Sequence, residues 1–187
     1  MKLGTFPAGQ DSAMERPESL PILDFPVDST RLSHKRDREL EAVRPNTAIP
    51  HVVAWNITRR CNLECSHCYI SAGSWQSTES ELSTEDCHRV LDDVLAVNPA
   101  VLLILSGGEP LVRNDLEEIA DHASSAGATV VVGTNGTGLS NERIESLKEA
   151  GVRGVAVSID SLNPAYHDHF RHGAGSLSAT RDAVTRL

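Results

Sequence analysis

Four short runs of apolar, largely β-branched residues most constrain the fold of this chain: 51–58 (HVVAWNIT), 101–105 (VLLIL), 129–132 (TVVV) and 154–159 (GVAVSI). Each is too short for a stable helix and is rich in side chains that suit a pleated surface. Their near-continuous apolarity predicts strands buried on both faces, as in a parallel sheet. The segments between them carry helix signals: Ser83 with Asp86 and a stop at Pro99, Asn114 with Glu117 and a stop at Gly127, and Ser140 ahead of NERIESLKEA with a stop at Gly151. The last three runs recur about every 25 to 28 residues, the span of a strand, a three-turn helix and its loops, which predicts parallel βα units. Asn163-Pro164 opens a further short helical turn through Phe170, and Ser176 or Ser178 is expected to cap a last helix still running at Leu187.

The chain has 187 residues, with 17 Lys and Arg against 26 Asp and Glu, a formal charge of -9 that disfavours a nucleic-acid partner. No stretch approaches the roughly 18 uncharged apolar residues that cross a membrane, and the first twenty residues lack the apolar centre of a signal peptide. The expected address is the cytoplasm, with no membrane partner. Residues 1–50, punctuated by six prolines from Pro7 to Pro50, read as an extended or poorly ordered lead-in with one short helix-like stretch at 36–44.

Three of the four cysteines fall in Cys61-Asn-Leu-Glu-Cys65-Ser-His-Cys68, directly after the first strand, so one loop at a strand's carboxyl end presents three soft ligands. That crowding suits a metal better than disulfides, and the spacing favours an iron-sulfur cluster. Structural zinc is the alternative. Its fourth ligand would have to be His67, wedged between two others, or Cys87, which sits in a helix pattern where a small buried hydrophobe is expected.

The C-x3-C-x2-C spacing, with a ring at His67 and Tyr69 following, resembles the signature of the radical S-adenosylmethionine (SAM) superfamily. The resemblance implies that Cys61, Cys65 and Cys68 hold three irons of a [4Fe-4S] cluster whose open fourth iron is chelated by the amino and carboxylate groups of SAM. Reductive cleavage of SAM then yields a 5'-deoxyadenosyl radical that abstracts hydrogen from a substrate. Ser106-Gly107-Gly108-Glu109-Pro110, ending the second strand, resembles the family's GGEP element, which implies that Gly107, Gly108 and Glu109 receive the SAM amino group. Two glycines allow close approach of backbone to a ligand, and a carboxylate suits an ammonium.

Further positions match the same pattern. Gly133-Thr-Asn135-Gly136 is similar to the family's turn beside SAM, and Ser158 and Asp160 stand where relatives place polar groups on the ribose. Arg171 matches an arginine near the SAM carboxylate. His167, His169 and His172, at i, i+2 and i+5, do not gather on one helical face and are expected in solvent. Trp55 and Thr58 are expected to pack the barrel.

The implied fold class is α/β, a partial (β/α) barrel of the radical SAM type with about four βα units over residues 51–187, its site built at the carboxyl ends of the strands. The Val-Val-Ala-Trp55-Asn-Ile-Thr58-Arg-Arg-Cys61 lead, with His67-Cys68-Tyr69, most resembles the subgroup that modifies tetrapyrroles in heme and d-type heme biosynthesis, so the expected function is a radical SAM enzyme acting on a tetrapyrrole. The alternatives are a peptide-modifying maturase, an inactive fragment, or a non-enzymatic iron-sulfur or zinc module. Hydrogen abstraction is the cofactor's chemistry, so no separate catalytic acid or base is expected. Expected partners are a small-molecule or peptide substrate and a reductant such as a flavodoxin or ferredoxin. Four units leave an open sheet edge, so the sequence is expected to be either a fragment or completed by a partner chain.

Overall fold

The structure is a computed structural model that describes residues 49–187. The lead-in of residues 1–50 and the helix-like stretch at 36–44 therefore fall almost wholly outside the described residues. Four strands, β1 (Val52–Thr58), β2 (Leu102–Gly107), β3 (Thr129–Thr134) and β4 (Val152–Val157), form one sheet in sequence order, every pair parallel. Between and after them lie α1 (Thr84–Val97), α2 (Leu116–Ser125), α3 (Asn141–Glu149), α4 (Pro164–Phe170) and α5 (Ser176–Arg186). Consecutive parallel strands joined by crossover helices give the expected βα architecture.

Local capping chemistry defines most helix starts. Ser83 accepts from Asp86 N, Ser140 from Arg143 N, and Asn163 from Ala165 N and Tyr166 N. Two expected caps differ. Helix α2 begins after Asp115 rather than Asn114, and no side-chain cap bond forms there, because the Asp115 carboxylate is engaged by Arg113 (2.9 and 2.6 Å) and Thr84 (2.7 Å). A charged guanidinium outcompetes a backbone amide for that carboxylate. Helix α5 starts after Gly175, and the cap is neither Ser176 nor Ser178. The carboxylate of Asp168, on α4, accepts from Gly175 N (2.6 Å), Leu177 N (2.9 Å) and Ser176 Oγ (3.0 Å).

The strands are not buried on both faces. Leu103, Leu105, Val130 and Val132 point one way into a core completed by Cys87, Leu91 and Leu95 of α1, Leu116, Ile119 and Ala123 of α2, and Leu147 of α3. The intervening residues point the other way, where Val52, Ala54, Asn56 and Ala156 are exposed and Ile104 and Val131 half-buried. α1, α2 and α3 pack on one face; on the other, Ile104 and Ala156 share a cavity wall with the cysteine loop, whose Tyr69 hydroxyl hydrogen-bonds the Asn56 side chain. Aliphatic residues on that face gave the strands their two-sided apolar texture. The expected packing of Trp55 and Thr58 holds: Trp55 lies against the main core and Thr58 is buried.

Candidate active site

The carboxyl ends of β1, β2, β3 and β4 converge on one cavity of about 370 Å³. Its wall contains Cys61, Cys65, His67 and Cys68 from the loop after β1, Gly107 at the end of β2 and Gly108 just after it, Asn135 after β3, Ser158 after β4, and Arg171. Glu109 and Asp160 are not part of the wall.

Backbone contacts set the glycine turn. Gly107 has a φ of 136°, and a Cβ there would lie 2.3 Å from Thr58 O; a Cβ on Gly108 would lie 2.2 Å from Arg60 O. Only glycine lets this turn press against the end of β1, where Gly108 N and Glu109 N donate to Thr58 O and Arg60 O, each at 2.9 Å. Glu109 turns inward and is 1% exposed. Its carboxylate accepts from Thr134 Oγ1 (2.7 Å), Asn135 N (2.7 Å) and Leu111 N (3.1 Å), joining the turns after β2 and β3. Burial pushes its pKa up, against the lowering effect of those donors.

Asn135 links the third turn to the cysteine loop: its Nδ2 donates to Asn62 Oδ1 at 2.8 Å and lies 3.9 Å from Cys61 Sγ. Opposite, the end of α4 holds the same loop. Glu64 N and Ser66 N donate to Arg171 O (3.4 Å) and Phe170 O (2.9 Å), and the His67 ring stacks on Phe170 with centroids 4.7 Å apart. Asp160 bridges Arg171 Nε (2.5 Å) and, at 3.9 Å, His67 Nε2.

All three loop cysteines are free thiols, and burial raises the pKa of Cys61 and Cys65. Among the described residues no three His, Cys, Asp or Glu side chains converge on a point that would hold a single metal ion. Cys61, Cys65 and Cys68 share one cavity wall. That donor set fits a multi-iron cluster, in which each thiolate takes its own iron, better than tetrahedral zinc, which needs four ligands around one ion. Cys87 is fully buried among apolar side chains, as its sequence context indicated.

The histidines divide. His169 and His172 are exposed as expected, but His167 is fully buried, its Nδ1 3.2 Å from Ser176 Oγ, because α4 packs on the start of α5 through that side chain. Arg171 is 5% exposed and ion-paired, not a solvated surface residue. Sequence reasoning missed Asn62, Thr134 and Phe170. Thr134 and Asn62 adjoin motif residues, which is a usable signal; nothing local marks Phe170 as the partner of His67.

Fold and cavity together define a parallel βα half-barrel with a thiol-lined pocket at its carboxyl strand ends. The chain belongs to the radical SAM superfamily, whose family model matches residues 55–187. Members of that superfamily use a [4Fe-4S] cluster and SAM. The chain is 42% identical over 141 residues to an AdoMet-dependent heme synthase of Methanosarcina barkeri, covering 75% of this chain and 40% of that protein. It is 31% identical over 157 residues to the mycofactocin maturase MftC of Mycolicibacterium smegmatis, covering 84% of this chain and 37% of that protein. Its fold matches the crystal structure of Streptococcus suis SuiB bound to S-adenosylmethionine with a TM-score of 0.60 at 15% identity, over 79% of this chain and 34% of SuiB. The chain thus spans about two fifths of the length of these relatives. Among the described residues no helix is long and apolar enough to cross a membrane.

Proposed function

We propose that this chain forms the cofactor-binding part of a radical SAM enzyme that acts on a tetrapyrrole in heme or d-type heme biosynthesis. The observation that carries the reading is the sharing of one cavity by three free thiols and the Gly107–Gly108 turn. When bound, the cluster supplies the electron that splits SAM into methionine and the 5'-deoxyadenosyl radical that takes hydrogen from the substrate.

Cys61, Cys65 and Cys68 hold the three irons. The Gly107–Gly108 backbone receives the SAM amino group, and Glu109 serves that subsite by fastening the turn from behind through Thr134 and Asn135. Asn135 and Ser158 face the ribose. Arg171, oriented by Asp160, faces the SAM carboxylate, and the His67 ring, held flat on Phe170, forms one side of the pocket. The small residues Gly133 and Ala156 leave room for the ligand on the open sheet face. A cytoplasmic flavodoxin or ferredoxin is the reductant this chemistry calls for.

Anaerobically reconstituted protein with reductant and SAM is expected to release 5'-deoxyadenosine, and Cys65→Ala to abolish both this release and the bound iron. A normal yield from Cys65→Ala overturns the assignment. The 42% identity to a heme synthase, against 31% to a peptide maturase, favours the tetrapyrrole. Cleavage that becomes substrate-coupled with a peptide and not with a tetrapyrrole would select the maturase reading instead.

A further inference from the structure

Both halves of the cofactor site hang from one short stretch of backbone. Thr58 ends β1, Arg60 leads directly into Cys61, and the carbonyls of Thr58 and Arg60 are the acceptors that hold Gly108 and Glu109. The β1–β2 ladder closes at Thr58 and Gly107 after a register shift, so this stretch lies beyond the regular sheet. What grips its side chains is Glu81, in the segment between the 3-10 turn Thr78–Ser80 and α1.

The Glu81 carboxylate accepts from Thr58 Oγ1, from Arg60 Nε (3.0 Å) and from Arg60 Nη2 (3.1 Å), and lies 3.9 Å from Arg113 Nη1. Arg113 in turn donates to Ile57 O, one residue earlier on β1, at 2.9 Å. The Glu81 side chain is 11% exposed and the Arg113 side chain 4%. Burial acts to raise the pKa of Glu81, but the hydrogen bonds from Arg60 and Thr58 outweigh it and hold the group ionised. A forked guanidinium-carboxylate pair fixes geometry as well as energy.

We propose that Glu81 is a positioning residue of the cofactor site, setting through Thr58 and Arg60 the strand end from which the cysteine loop and the Gly107–Gly108 turn both project. It is not part of the cavity wall and offers no ligand. Its effect on binding therefore passes entirely through backbone placement. The inference rests on the reading of the cavity as a cluster and SAM site.

The test uses cluster-loaded protein at matched iron content and reads the SAM concentration that half-converts the spin signal of the reduced cluster, alongside Tm. Glu81→Gln is expected to raise that concentration about tenfold, the lower end of what losing a supporting contact behind a ligand costs. Glu81→Asp recovers part of the loss. Ser140→Ala, which removes a remote helix cap, lowers Tm and leaves SAM affinity unchanged. Should Glu81→Gln not accumulate, Thr58→Val removes one donor to the carboxylate, keeps the Arg60 pair, and is expected to weaken SAM binding in the same direction. Wild-type affinity in the Glu81→Gln protein overturns the inference, as does an equal loss of affinity in Ser140→Ala at equal loss of Tm. A wild-type spin signal that ignores SAM overturns the parent reading, and the inference with it.

Discussion

The two faces of the sheet are made from the same strands and do opposite work. On the helix-covered face Leu103, Leu105, Val130 and Val132 are at most 1% exposed and interlock with α1, α2 and α3. On the other face the residues shrink toward the carboxyl strand ends, through Ile104 and Val131 to Ser106, Gly133 and Ala156, and the surface runs without a break into the thiol-lined cavity. Packing is concentrated where side chains are large; space for a ligand is left where they are small. A parallel sheet in sequence order separates the two because successive side chains on a strand point to opposite faces.

The largest test of that contrast is Leu105→Ala. It should cost about 2–5 kcal/mol in denaturant unfolding, since it leaves a cavity at a fully buried core position. The same truncation at Ile104, one residue earlier and half-buried on the open face, should cost well under half as much. Comparable losses at the two positions would erase the distinction.

The reverse experiment enlarges the open face. Ala156→Leu should leave unfolding stability within about 0.5 kcal/mol, because the residue is exposed. In cluster-loaded protein it should weaken SAM binding about tenfold by intruding on the cavity, as misplacement of a ligand commonly does. Unchanged SAM affinity in this variant would mean that the open face is not where SAM lies.

The smallest effect concerns charge at the start of α2. Hydrogen bonding from Arg113 holds the Asp115 pKa below the ordinary carboxylate range, more than burial raises it. A carboxyl group with a lowered folded-state pKa contributes stability that is fully present above its unfolded value of about 4 and is lost as the pH falls through the folded value. Stability should therefore decline below about pH 4, and Asp115→Asn should flatten that part of the profile when thermal unfolding is followed against pH.

Much of this architecture is legible along the chain, for reasons of range. The caps at Ser83, Ser140 and Asn163 bond to amides two or three residues on, and the cysteine spacing and the glycine pair lie within single loops. Where sequence reasoning went astray, a distant group intervened. Arg113 and Thr84 occupy Asp115, so α2 starts without a side-chain cap. Asp168, eight residues upstream, caps α5 in place of a serine, and the same packing of α4 on α5 buries His167. Apolar periodicity marks residues that avoid water in the assembled sheet; it does not say which face a helix will cover.

Sequence by itself determined the strand and helix order, the family and the cysteine loop, because each depends on hydrophobic pattern or on donors a few residues apart. The tertiary structure alone decided that Glu109 faces inward onto Thr134 and Asn135, that Phe170 backs His67, and that Glu81 clasps Thr58 and Arg60 from more than twenty residues away. These contacts join segments that meet only once the sheet has formed, and a buried carboxylate takes whichever donors the fold delivers to it.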